Sequence, residues 1–124
     1  MILLDTSFLI RALVRRSSED AKLRRWLRDG EPIGIAALAW AEFLCGPVPR
    51  EAVAAALELL QPPIPFGVPE ATRAAGLFNA SGRRRGSLVD CMIAATAIES
   101  SAALATANRT DFTRFISLGL RLAD

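Results

Sequence analysis

The chain has 124 residues, of which 52% are hydrophobic, and its 15 basic and 13 acidic residues give a net charge of +2. This hydrophobic fraction excludes an intrinsically disordered chain, and the length predicts a single domain over residues 1–124. The small net charge does not by itself indicate a nucleic-acid partner, because clusters of charge rather than totals create a binding field.

The composition also excludes several kinds of site and location. The chain contains no histidine, which excludes a Ser-His-Asp triad and a histidine-ligated zinc site. Its longest uncharged apolar run, residues 33–41, is much shorter than the ~18 residues that a membrane span needs. No basic segment precedes the first apolar residues, so we expect no signal peptide, no membrane partner and a cytoplasmic location.

The first elements are a strand and two helices. The apolar run at residues 1–4 predicts a short buried strand. The segment Asp5-Thr6-Ser7 then offers N-cap side chains to a helix over residues 8–16. A second helix is predicted over residues 18–29, and the segment IGI at residues 33–35 predicts the second strand. The chain therefore begins with a strand–helix–helix–strand order.

The middle of the chain repeats this alternation. Helices are predicted over residues 36–46 and 50–60, each ended by proline or glycine. Residues 64–68, with the sequence IPFGV, predict a third strand. A helix over residues 69–82 follows, with a proline at its N-terminus, where the missing N–H is tolerated.

The last third of the chain contains the most apolar helix. A basic loop, SGRRRG at residues 81–86, precedes this helix, which is predicted over residues 87–100. Strands are predicted over residues 102–106 and 118–122. Strands that alternate with helices indicate an α/β fold whose central sheet, of about five strands, is mainly parallel.

Four carboxylates interrupt apolar segments or directly follow predicted strands. They are Asp5, Glu42, Asp90 and Asp111. In a parallel α/β sheet, residues after the strand C-termini and on the following helices can meet in one crevice. Carboxylates gathered there repel one another, so they either share protons or hold a cation. Oxygen ligands without histidine or thiolate suit Mg²⁺ or Mn²⁺, and such an ion could support hydrolysis of a phosphodiester.

Each acid also has a purely structural explanation. The segment SLVD at residues 87–90 is a possible capping box, in which Asp90 only closes the helix start. Asp5 could be a turn residue satisfied by backbone N–H groups, and Asp111 could serve the first turn of a short helix. Glu42 is harder to explain in this way, because its apolar helix shows no obvious exposed stripe.

The basic loop has two explanations as well. Arg83, Arg84 and Arg85 could simply be solvated. They could instead contact RNA phosphates, because they directly precede the helix that carries Asp90. Both explanations stay open at this point.

Four segments together resemble a known family. LLDTS resembles the opening strand and first acid of a PIN domain, of the type found in VapC toxins. AEFLCG resembles the glutamate-bearing helix of that family, SLVDCMIAATA its third motif, and LATANRTDF its fourth. The order and spacing of these segments make the resemblance more specific than any one of them, and it covers nearly the whole chain.

The resemblance implies a three-layer PIN-like fold and a Mg²⁺-dependent endoribonuclease, with Mn²⁺ as a possible substitute. It implies an RNA substrate and inhibition by a cognate antitoxin, as in a type II toxin–antitoxin pair. Asp5 and Asp90 become the metal ligands, and Glu42 becomes the third catalytic acid. The alternative is a catalytically inactive PIN-like module that binds RNA or protein.

The resemblance also assigns the supporting residues. Thr6 and Thr106 would position a carboxylate or a water. Family members differ in whether the fourth acid stands at the position of Asn108 or three residues later, so Asp111 and Asn108 both remain candidates, with Asp111 ranked first. We also expect a homodimer, for which the apolar helix over residues 50–60 could supply an interface.

Overall fold

A computed structural model describes all 124 residues. The strands are β1 (Ile2–Leu4), β2 (Ile33–Ile35), β3 (Ala103–Ala105) and β4 (Arg121–Leu122). The helices are α1 (Thr6–Ala12), α2 (Ser18–Arg28), α3 (Ala37–Cys45), α4 (Arg50–Leu59), α5 (Val68–Ala80) and α6 (Leu88–Glu99). Two 3₁₀ helices, Arg109–Asp111 and Thr113–Leu118, lie between β3 and β4.

The strands form one parallel sheet in the order β2-β1-β3-β4. Strand β1 is central, because Ile2 is in register with Ile33 on one side and with Ala103 on the other. The chain moves from β1 to one neighbour and later returns to the other side, which creates a switch point at the C-terminal ends of β1 and β3. The predicted α/β fold with a parallel sheet is confirmed, with four strands instead of about five.

The strand predicted over residues 64–68 is the one that is missing. Only Ile64 pairs there, in an isolated parallel bridge with Ala36. Prolines at positions 62, 63 and 65 surround Ile64 and have no N–H to donate, so a ladder cannot extend in either direction. Helix α5 then begins at Val68, which takes the last residue of the predicted strand.

Two other predicted elements are shorter than expected. The first helix, predicted to reach residue 16, ends at Ala12, because Ser17 both donates its hydroxyl to the carbonyl of Arg11 and caps the N-terminus of α2. The last strand, predicted over residues 118–122, contains only Arg121 and Leu122. A 3₁₀ helix occupies the chain as far as Leu118, and the next residue is a glycine in the left-handed region.

The buried hydrophobic residues form one cluster of 28 side chains around the sheet. All three residues of the inner strand β1 are buried, as expected for a parallel strand covered by helices. All three residues of the edge strand β2 are buried as well, because Gln61 and Ile64 donate to its outer side. Helix α3 packs against both α1 and α6, so it brings helices from three parts of the chain to the same end of the sheet. None of the helices has the length and apolar character needed to cross a membrane.

Candidate active site

The four acids identified in the sequence line one cavity of about 270 Å³ beyond the C-terminal ends of β1 and β3. We call it the acidic cavity. Its walls also contain neighbouring polar and apolar side chains: Thr6, Ser7, Ile10, Ile93, Asn108 and Phe112. The backbone N–H of Asp5 donates to the carbonyl of Ala105 over 2.9 Å, which fixes the ends of the two strands side by side.

Asp5 is held by three hydrogen bonds, two from α1 and one from the residue that follows β3. Its Oδ1 accepts from the backbone N–H of Phe8 at 2.9 Å and from the Ser7 hydroxyl at 2.7 Å. Its Oδ2 accepts from the Thr106 hydroxyl at 2.6 Å. The backbone bond makes Asp5 the N-cap of α1, so the structural explanation holds. The same bonds aim the carboxylate at the acidic cavity, so the two explanations are compatible.

Glu42 is connected to Asp5's neighbour Thr6. The Thr6 hydroxyl is shared between the carbonyl of Ala39, at 2.9 Å, and Oε1 of Glu42, at 3.2 Å. The expectation that α3 lacks an exposed stripe was wrong, because Ala41, Glu42 and Leu44 are all exposed. Glu42 is therefore a candidate because of its place in the acidic cavity, and not because solvent is unavailable to it.

Asp90 lies in the first turn of α6 and is half-buried. The capping-box explanation is wrong, because the Ser87 side chain makes no cap bond and instead donates to the carbonyl of Arg84 at 2.7 Å. The backbone N–H of Ser87 also donates to that carbonyl. Asp90 is thus not engaged by the helix start, and its carboxylate remains available to the acidic cavity.

Asp111 and Asn108 both line the acidic cavity and are both exposed. Asp111 lies in the single turn of a 3₁₀ helix, as the structural explanation expected, although this helix begins at Arg109. The backbone N–H of Asn108 donates to the Thr106 hydroxyl at 3.0 Å, which ties this loop to Asp5. Both residues therefore remain candidates for the fourth site position.

The acids influence one another electrostatically. Burial raises the pKa of Asp5 above its ordinary value of 3.8, against the lowering effect of the bonds from Thr106, Phe8 and Ser7. Burial also raises the pKa of Asp90, and the negative charge of Asp111 adds to this effect, with smaller contributions from Glu42 and Asp5. Burial is thus the main cause of both shifts, and the other carboxylates of the cavity add to it.

A divalent cation fits this set of donors. All the candidate ligands are carboxylate, amide or hydroxyl oxygens, which Mg²⁺ and Mn²⁺ prefer. The acids converge without forming a closed cage, since no group of three Asp, Glu, Cys or His side chains lies in metal-binding geometry. Mg²⁺ commonly binds to one or two carboxylates and keeps several waters, so an open arrangement suits it.

Ser7 is a site residue that sequence reasoning considered only as a cap. Besides its bond to Asp5, its hydroxyl accepts from the backbone N–H of Ala107 at 3.2 Å and lies 3.5 Å from the Thr106 hydroxyl. The signal available in the sequence was its place two residues after Asp5, on the first turn of the same helix. Ser7 links the N-terminal and C-terminal halves of the cavity.

The basic loop lies outside the acidic cavity. None of Arg83, Arg84 and Arg85 lines it, although all three are exposed. Arg83 has a φ of 54° and stacks on Phe78, with its guanidinium carbon 5.3 Å from the ring centroid. Its side chain also donates to Asn79, so it is held more firmly than its two neighbours.

A larger groove, of about 590 Å³, lies between α5 and α6. Its charged residues, Arg73 and Glu99, neutralise each other in a salt bridge of 2.8 Å. The groove therefore lacks the uncompensated charge that distinguishes the acidic cavity.

The sequence matches a family model described as the PIN domain, over residues 2–116. This range contains Asp5, Glu42, Asp90 and Asp111, and it leaves out only the first residue and the C-terminal segment with β4. A search of curated proteins found no match.

Several solved structures have the same fold. A chain of VapBC2 from Rickettsia felis, bound to a DNA fragment of its promoter, matches with a TM-score of 0.77 and 22% identity, covering 99% of this chain and 98% of that one. A toxin–antitoxin complex from Klebsiella pneumoniae matches with a TM-score of 0.74 and 26% identity, covering 91% of each chain. FitAcB from Neisseria gonorrhoeae matches with a TM-score of 0.70 and 24% identity, covering 100% of this chain and 97% of that one.

Proposed function

The chain belongs to the PIN domain family, and on that premise we propose that it is a metal-dependent endoribonuclease and the toxin of a type II toxin–antitoxin pair. The observation that carries the proposal is the convergence of Asp5, Glu42, Asp90 and Asp111 on one cavity at the switch point of the sheet. The similarity to complexes of toxins with antitoxins supports the choice of this branch of the family.

Asp5 and Asp90 would hold the ion, which we take to be Mg²⁺ with Mn²⁺ as a substitute. When bound, such an ion polarises a phosphoryl oxygen and stabilises the charge that develops in hydrolysis. Asp5 suits this role because three hydrogen bonds fix its orientation. Asp90 suits it because no protein donor occupies its carboxylate.

The reaction is hydrolysis of a phosphodiester. Water attacks phosphorus, the bond from phosphorus to one ribose oxygen breaks, and one proton moves from the water toward that leaving oxygen. Glu42 and Asp111 are exposed carboxylates on the cavity wall, so either can take this proton from the attacking water and pass it on toward the leaving oxygen. The amide of Asn108, on the same wall, can donate to a phosphate oxygen.

The hydroxyls around the acids position them. Thr106 and Ser7 hold the Asp5 carboxylate, and Thr6 holds that of Glu42. Because each hydroxyl also bonds to a second group, moving one carboxylate disturbs the loop behind it. We assign to these residues an effect on geometry and not a direct part in bond breaking.

The partners follow from the same proposal. The substrate is RNA, and the exposed side chains of Arg83, Arg84 and Arg85 would contact its phosphates outside the cavity. A cognate antitoxin protein would inhibit the enzyme. We also propose a homodimer, for which exposed apolar side chains such as Leu57 on α4 offer contact area.

The test is RNA cleavage with Mg²⁺ and with EDTA. We expect Asp5→Asn, Glu42→Gln and Asp90→Asn each to reduce cleavage by at least two orders of magnitude while the protein still folds. Glu58→Gln is the control, because Glu58 is an exposed acid that lies outside the acidic cavity. Cleavage by Asp90→Asn at the wild-type rate would contradict the assignment.

A melting curve distinguishes the inactive alternative. Mg²⁺ should raise the melting temperature of the wild-type protein by mass action and leave that of Asp90→Asn nearly unchanged. In EDTA the Asp90→Asn variant should melt at a higher temperature than wild type, because the substitution removes one charge from a repelling cluster. No shift with Mg²⁺ or Mn²⁺, together with no cleavage, would favour a PIN-like module that binds RNA or protein without cutting.

A further inference from the structure

Arg114 lies beside the acidic cavity but has no part in the chemistry proposed for the four acids. It is in the 3₁₀ helix Thr113–Leu118, which follows Asp111 and Phe112 of the cavity wall. Its guanidinium carbon lies 4.3 Å from the centroid of the buried Phe115 ring, within the range of a cation–π contact. Its Nη1 donates to the backbone carbonyl of Asp111. These two contacts hold the cation against the protein near the cavity.

One edge of the Arg114 guanidinium is unused. Nε is buried and has no hydrogen-bond partner, and Nη2 makes no hydrogen bond either. Nε and Nη2 form the planar fork with which arginine binds a carboxylate or a phosphate through two parallel hydrogen bonds. Arg114 makes no ion pair, so nothing in the chain occupies this fork.

Four other arginines each form a salt bridge with an acid of the same chain. The salt bridges are Arg11–Glu19, Arg24–Asp20, Arg73–Glu99 and Arg109–Asp124. Arg114 differs from these arginines because it forms no salt bridge, although its charge acts on Asp90 in the acidic cavity. Its positive charge lowers the pKa of Asp90, against the raising effects of burial and of Asp111.

We propose that the Nε–Nη2 edge of Arg114 binds a phosphate of the RNA backbone as the strand enters the acidic cavity. This inference rests on the proposed function. A phosphate that approaches four carboxylates is repelled, so a nearby cation with two free donors favours its entry. Because Nε is covered at rest, the guanidinium must tilt on the Phe115 ring to present both donors. Such an interaction fixes position and adds affinity without reading sequence.

The experiment measures binding of a short fluorescent single-stranded RNA in EDTA, so that no cleavage is needed. Arg114→Met keeps an unbranched side chain over Phe115 but removes the charge, and Arg114→Lys keeps the charge but removes the fork. Arg109→Met is the matched control, because that guanidinium is already held by Asp124 and by the carbonyl of Ala123. Thermal unfolding of each variant checks the fold.

We expect Arg114→Met to bind RNA about tenfold more weakly than wild type. The salt slope, which is the slope of log K for RNA binding against log salt concentration, should be smaller in magnitude by about 0.7. This is the value for one phosphate of a single strand that the protein no longer neutralises. Arg114→Lys should bind with intermediate affinity, and Arg109→Met should bind like wild type. Affinity for Mn²⁺ without RNA should stay the same in all of them.

Equal RNA affinity and equal salt slope for Arg114→Met and Arg109→Met would overturn the inference and leave the proposed function intact. Weaker Mn²⁺ binding with unchanged RNA binding would also overturn it, because the fork would then serve Asp90. If wild type binds no RNA at all, the inference and the proposed function both fail. If Arg114→Met does not fold, wild-type affinity in Arg114→Lys overturns the inference, and weaker binding supports it.

Discussion

The hydroxyl of Thr106 donates to Oδ2 of Asp5 over 2.6 Å, although the two residues are 101 positions apart in the chain. Both residues are buried, and Asp5 lines the acidic cavity, so Thr106 supports the cavity wall from behind. A hydrogen bond to a buried carboxylate is stronger than one between neutral groups, and an unsatisfied carboxylate oxygen is costly. This bond therefore holds the C-terminal ends of β1 and β3 together next to the acidic cavity.

Replacing Thr106 tests how much this hydrogen bond contributes to stability. We expect Thr106→Val to lower the free energy of unfolding by about 1–3 kcal/mol, because Oδ2 of Asp5 is left without its donor while it stays buried. Thr106→Ser, which keeps the hydroxyl, should be destabilised much less. Chemical denaturation of both variants at neutral pH measures the difference. Equal stability of the two variants would show that the hydroxyl contributes little.

The basic loop gives a prediction about RNA affinity. Replacing Arg83, Arg84 and Arg85 with Ala should weaken RNA binding and reduce the salt slope by about 0.7 for each phosphate that is no longer neutralised. Metal affinity should stay nearly the same, because none of the three lines the acidic cavity. Among the single variants, Arg83→Ala should have the smallest effect, since Arg83 is stacked on Phe78. An unchanged slope in the triple variant would mean that the loop is only solvated.

The metal and the RNA should tighten each other's binding. The acids form no closed cage, so an ion held by Asp5 and Asp90 would leave room for an RNA phosphate beside it. Titration of Mn²⁺ with and without a non-cleavable RNA measures the coupling, which must be reciprocal. We expect a several-fold increase in Mn²⁺ affinity when the RNA is present. Equal affinity in both titrations would remove the main support for metal-assisted hydrolysis.

Glu19 gives a prediction about stability and pH. A hydrogen bond from Ser18, followed by the bond and charge of Arg11, lowers the pKa of Glu19 below its ordinary value of 4.5. Since the folded-state pKa is the lower one, Glu19 stabilises the fold above about pH 4.5, and this effect disappears as the pH falls through the folded value.

We therefore expect Glu19→Gln to destabilise the protein at neutral pH and to match wild type in acid. Urea unfolding at a series of pH values measures this difference. Glu58→Gln, at an exposed position on α4, is the control and should show no such trend. A difference between Glu19→Gln and wild type that is independent of pH would contradict the charge-based explanation.

Sequence reasoning succeeded where a local pattern decides the structure. Asp5 follows an apolar run and begins a helix, and both features are readable within a few residues. It failed where prolines removed backbone donors, since the apolar character of residues 64–68 suggested a strand whose ladder could not form. The capping box suggested for residues 87–90 does not form either, because the Ser87 hydroxyl donates to the carbonyl of Arg84 instead.

The candidate site shows a second limit. The sequence predicted that the four acids can meet in one crevice, but it did not predict the strand order that brings residues 5 and 106 together. The contribution of Ser7 and the free edge of Arg114 depend on side-chain orientation in the folded protein. No periodicity or spacing in the sequence contains that information.

The central position of β1 has a consequence for synthesis of the protein. Ile2–Leu4 leaves the ribosome long before one of its two neighbours in the sheet, Ala103–Ala105, has been made. A growing chain can form helices early, but it cannot close this long loop or bring Thr106 to Asp5 until β3 has emerged. The acidic cavity therefore cannot assemble until β3 has emerged, which happens late in translation.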